Sequence, residues 1–140
     1  MAQDAVSSFQ VELEEAFPHV DPGVEPYGSR VLVQIRRSKS KTAGGIILTD
    51  EAKDTEKWNT QTAKVISLGP LAFKNREKGI EWVEGQWCKP GDFVRVMKYG
   101  GDRWEVPLGK SEEPALFVLF NDLDILGRVT GNPLAVKAFV

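Results

Sequence analysis

The chain has 140 residues, 41% hydrophobic and 27% charged, with a formal net charge of −2. That is enough chain for one domain with its own core. The charge argues against a nucleic-acid binder, which needs a basic surface, and no apolar run nears the ~20 residues of a membrane span. The opening MAQDAVSSFQVELEE is acidic and lacks a charged-then-apolar signal pattern. Cys88, the single cysteine, has no intrachain partner, which fits a reducing compartment. A cytoplasmic location is therefore expected. His19 and Cys88 are the only histidine and cysteine, so no metal-ligand cluster is expected. A Cys–His nucleophilic pair would need a third, orienting group. Cys88 reads better as a small hydrophobe at a strand start, and His19 as part of a Pro-flanked surface segment.

Residues 1–22 read as an N-terminal extension. Val6, Phe9, Leu13 and Ala16 share a helical face, with Ser7-x-x-Gln10 as a weak capping-box match. Phe9, Val11 and Leu13 also alternate, which leaves a strand open. Pro18, Asp21, Pro22 and Gly23 end either element. Glu12, Glu14 and Glu15 fit a solvated helix face, with a partner-binding patch as the alternative. From Arg30 the pattern is β. In RVLVQIRR, Val31, Val33 and Ile35 point one way and Leu32, Gln34 and Arg36 the other. TAKVISLG, residues 62–69, is the next strand. LAFKNREKGIEWVEGQW predicts two short strands around a turn at Asn75–Gly79. Pro90-Gly91 predicts a type II turn before the strand DFVRVMKY. ALFVLF, residues 115–120, is continuously apolar and predicts burial on both faces. NDLDILGRV opens with a turn and ends in a strand. Residues 131–140 show no clear pattern. The sum is an all-β domain of short strands, for which a small barrel hides the edges.

Residues 37–61, RSKSKTAGGIILTDEAKDTEKWNTQ, make an unusually long connection between two good strands. Ile46, Ile47 and Leu48 are β-prone and on their own would suggest a core strand. Gly44 and Gly45 before them and Asp50, Glu51, Lys53 and Asp54 after them suggest instead a loop that presents an apolar hook. Burying each hook side chain yields roughly 1.5–3 kcal/mol, and ordering the loop costs ~1–2 kcal/mol per residue. One such loop binds weakly. Several on one ring bind usefully.

At this point the chain resembles the chaperonin-10 co-chaperonins, the GroES family, over about residues 24–130. VEPYGSRVLVQIRR looks like the family's opening and KTAGGIILTDEA like its mobile loop, the most specific stretch. AKVISLGP is similar to the strand after that loop, and KPGDFVRV to its turn and strand. LFVLFNDLDILGRV resembles its closing strand and Asp-Ile-Leu. The five stretches occur in the family's order.

The resemblance implies a GroES-like, partly open, irregular β-barrel over residues 23–130, with a mobile loop at about 38–61, a roof hairpin at about 70–87 and a tail at 131–140. It implies a non-enzymatic lid, a homoheptamer that caps a chaperonin-60 cylinder and encloses non-native protein. Gly44, Gly45, Ile46, Ile47, Leu48 and Thr49 would dock on the partner's apical domains. Val24, Pro26 and Tyr27 would pair with Ile125, Leu126 and Val129 of the neighbouring subunit. No cofactor is expected: ATP belongs to the chaperonin-60 partner, and no G-x-x-x-x-G-K-[ST] or G-x-G-x-x-G pattern occurs here. In the roof segment, Phe73 and Trp82, with Tyr99 further on, are candidates to face the chamber; packing at the hairpin base is the plainer reading for the roof aromatics. Residues 1–22, the overrun at 131–140 and the long segment 102–114 depart from the bacterial pattern, as a divergent, for example phage-encoded, member would. A phage-encoded lid would work in the host cytoplasm. The competing readings are a small β-barrel protein- or nucleic-acid-binding module, which leaves the Gly-Gly-aliphatic loop unexplained, and an enzyme, for which the chain lacks a nucleotide-binding half and metal ligands.

Overall fold

The computed structural model describes residues 2–37, 62–97, 99–110 and 112–134, with the side chains of the first helix described from Ser8 onward. Helix α1 (Ala2–Ala16) is followed by strands β1 (Arg30–Ile35), β2 (Thr62–Leu68), β3 (Phe93–Val96), β4 (Asp102–Val106), β5 (Ala115–Asn121) and β6 (Ile125–Arg128), with a short 3-10 turn at Asp122–Asp124. The strands form one antiparallel sheet in the order β4-β5-β1-β2-β3-β6. β4 pairs only with β5 and β6 only with β3, so the sheet is not closed. The all-β, GroES-like expectation holds, with one helix added.

β1 shows why the sheet has two cores. Its side chains alternate, yet five of its six residues are buried. Val31, Val33 and Ile35 join Ala63, Val65, Val94, Val96, Val118, Phe120 and Ile125 on one face. Leu32 goes to the other face with Ala115 and Phe117, where Trp104, Ile66, Leu119 and Val20 pack against it. Irregular register at Leu32/Val33 and at Arg95/Val96 bends the sheet around the first core. ALFVLF lies buried or half-buried along its whole length, as its continuous apolar run requires.

Two turns follow their chemistry closely. Gly91 has φ 96°, and the Asp92 amide donates to the Lys89 carbonyl at 3.0 Å, which is the type II turn predicted for Pro90-Gly91. A Cβ at Gly69 would overlap the Gly28 carbonyl, so the end of β2 needs glycine there.

Three expectations need correction. The paired strands around Asn75–Gly79 reduce to a single bridge, Lys74 with Glu81. The turn itself is present, because the Asn75 carboxamide accepts from the Glu77 and Lys78 amides and its carbonyl from Gly79. Segment 102–114, for which no strand is predicted, opens with β4. Helix α1 begins at Ala2, so Ser7 lies inside it rather than at its cap. Glu12, Glu14 and Glu15 are exposed.

Candidate functional site

Gly44, Gly45, Ile46, Ile47, Leu48 and Thr49 lie outside the described residues. β1 and β2 are adjacent and antiparallel, with Ile35 opposite Ala63. One step further, the Arg36 amide donates to the Thr62 carbonyl at 3.1 Å. The chain thus leaves for residues 38–61 and returns from them on neighbouring rungs of one ladder.

The residues expected at a subunit interface divide by burial. Tyr27 is 75% exposed, Leu126 62% and Val24 41%. Pro26 is buried and Val129 half-buried, with its amide donating to the Phe93 carbonyl at 2.7 Å. Ile125 stands opposite Val96 and lies in the core, so its side chain is spent within the subunit. Val24–Tyr27 is irregular rather than a strand. The outer edge of β6 carries no ladder partner among the described residues.

The roof aromatics form a compact group. The Phe73 ring lies 5.6 Å from Trp82 and 5.7 Å from Trp87, and the two indoles are 5.0 Å apart. Phe73 is fully buried, so its ring presents no surface to a chamber. Its backbone has φ 60°, uncommon for a bulky residue. Three features hold that conformation: its amide donates to Asp122 Oδ2 at 3.0 Å, its carbonyl accepts from the Trp82 amide at 3.1 Å, and its ring fills the core beside the indoles. Trp82 is half-buried. Tyr99 is exposed and sits ahead of Gly100 and Gly101, both at positive φ.

Sequence reasoning missed how residues 17–22 are used. They cross the second face of the sheet as a strap. Phe17 is buried against the Phe93 ring at 5.1 Å, the buried Gln34 amide donates to the Pro18 carbonyl at 2.9 Å, and the Trp104 indole N–H donates to the Pro22 carbonyl at 2.8 Å. Between strap and sheet runs a cleft of about 420 Å³, bordered by Phe17, His19, Gln34, Lys64 and Ile66. The one available signal was ALFVLF, which demanded a cover on each face.

Nothing in this arrangement favours catalysis by the Cys88–His19 pair. Cys88 is buried in the first core, and burial, with a smaller push from Asp92 against a pull from Arg128, raises its thiol pKa to about 11. A nucleophilic cysteine needs the opposite shift. His19 is exposed on the strap. No group of three or more metal-ligating side chains occurs among the described residues, and no described helix is long and apolar enough to cross a membrane.

The site is thus an unclosed sheet whose outer strands carry no second ladder partner among the described residues, with a long connection between two adjacent strands. The model of the chaperonin 10 kDa subunit family matches residues 23–129. The chain belongs to that family, whose members are non-enzymatic, oligomeric co-chaperonins partnered by chaperonin-60.

Proposed function

We propose that the chain is the lid subunit of a chaperonin, a seven-membered ring that docks on a chaperonin-60 cylinder through Ile46, Ile47 and Leu48 and encloses non-native protein while the partner hydrolyses ATP. The observation that carries this reading is the placement of the Gly-Gly-Ile-Ile-Leu stretch, in a chain of this family, between two adjacent strand ends. A connection anchored on neighbouring rungs can extend away from the sheet without disturbing it. Gly44 and Gly45 act as its pivot. The three aliphatics enter an apolar groove on the partner's apical domain. Each contact is weak after the cost of ordering, and seven together hold the lid while still letting it leave.

The ring joins Val24–Tyr27 of one subunit to the β6 edge of the next, which covers two unpaired margins at once. Trp82 and Tyr99 face the chamber beneath the dome. The ring works in the cytoplasm, or in that of a host if the chain is phage-encoded.

The test is Ile47→Asp, measured by binding to chaperonin-60 with ATP alongside ring mass and thermal melting. The expected outcome is a loss of roughly ten- to a hundredfold in affinity per subunit, the worth of one buried aliphatic, with mass and melting unchanged. A variant that unfolds would identify the triplet as core. One that docks like wild type would remove the hook.

A further inference from the structure

The two arginines that end RVLVQIRR are tied to the end of helix α1 and to Leu134. The Arg37 amide donates to the Ala16 carbonyl at 2.8 Å and its Nε to the Glu15 carbonyl at 2.8 Å. One terminal guanidinium nitrogen donates to the Glu113 carbonyl at 3.2 Å and lies 3.6 Å from the Glu112 carboxylate. Arg36 holds the segment after β6, with its guanidinium donating to the Leu134 carbonyl at 3.1 Å. Its amide meanwhile closes onto Thr62.

Helix α1 has no basic residue in its last turn. The final carbonyls of a helix need donors, and its C-terminus favours a cation. Arg37 supplies both from another element, and it is only 17% exposed. Residues 15–16 and 134 all lie outside the stretch that matches the family, 23–129. The arginines that receive them stand at the last described positions before residues 38–61.

We propose that the parts of this chain outside the common family domain form a brace. It acts through Arg36 and Arg37 as positioning residues and fixes the strand ends from which the docking segment departs. The inference rests on the lid reading. Its physical content is entropic. Every residue already fixed at the strand ends is one that docking need not order, so the brace raises affinity without touching the partner. The strap, held by Gln34 and Trp104, follows directly on α1 and keeps its last turn beside Arg37.

The experiment compares wild type, Arg37→Ala, Arg37→Lys and Gln10→Pro, the last breaking α1 from within and leaving the arginine intact. Amide exchange at residues 35–37 is read in the free ring, and the dissociation constant for chaperonin-60 with ATP in the complex. Arg37→Ala should exchange faster at these amides and bind about tenfold more weakly, the cost of ordering roughly one further residue. Arg37→Lys, which keeps the charge and loses the fork, should recover part of the affinity. Gln10→Pro should shift exchange and affinity in the same direction as Arg37→Ala, even if that variant proves too unstable to assay. Unchanged affinity in folded rings that exchange faster overturns the proposal, as does unchanged exchange. A wild-type ring that binds no chaperonin-60 overturns the lid reading instead, and the exchange data then still decide whether the brace exists.

Discussion

Asp122 shows how one side chain joins distant parts of the chain. It is buried, and its two oxygens accept from the amides of Phe73 and Leu123 at 3.0 and 2.8 Å. The Phe73 amide has a left-handed backbone to maintain and lies buried from solvent. Asp122→Ala leaves that donor unmet, and a loss of about 1.5–3 kcal/mol is expected, read as a lowered urea midpoint with an unchanged slope. Asp122→Asn keeps an acceptor and should lose less. Equal stability of all three proteins would show that the carboxylate does not hold Phe73. Cys88 makes a different prediction. Its folded thiol titrates near 11, above the ordinary value of 9.0. Between those values the unfolded chain has released a proton that the folded chain keeps, so the unfolded state binds fewer protons and stability falls as pH rises. That contribution is complete below the unfolded value and lost through the folded one. The stability–pH curve of Cys88→Val should lack this decline; parallel curves from pH 8 to 11.5 would contradict it.

At the level of elements, legibility followed from how strongly each segment constrains itself. β1 announced itself through alternation, β5 through a continuous apolar run, and the Pro90-Gly91 turn through backbone chemistry that few other pairs satisfy. β4 did not, because an edge strand turns charged residues outward and DRWEV carries three of them. Its alternation, Trp104 and Val106 inward against Arg103 and Glu105, was the available signal. The roof strands were overread because the Asn75 side chain satisfies the turn amides locally and leaves little for a ladder to do. The strap was illegible for another reason. Gln34 and Trp104 both bind its main-chain carbonyls, which every residue has. The candidate interface was only partly legible. Ile125 and Leu126 look alike in composition, and only the register with β3 sends one inward and leaves the other outside.

Among the described residues the sheet has two margins without a second ladder partner, and several large apolar side chains are exposed. Tyr27 and Leu126 are two of them, each more than half exposed. If they meet across a subunit boundary, Leu126→Asp should shift light-scattering mass from the ring toward the monomer, with far-UV circular dichroism unchanged. Its neighbour Ile125 cannot serve this test, since replacing a core side chain would cost about 2–5 kcal/mol of folding by itself. A ring of unaltered mass from Leu126→Asp would place the boundary elsewhere.

The central position of β1 also dictates an order of events during synthesis. Its partner on one side is β5, with Arg30 opposite Asn121. The surface that receives the strap is built from Leu32, Trp104, Phe117 and Leu119. None of it is complete until the ribosome has released nearly the whole domain. Residues 17–22 leave the exit tunnel well before Trp104 and Phe117, against which they seat. The strap must therefore wait, with Phe17 and Val20 uncovered, until β4 and β5 have emerged to receive it.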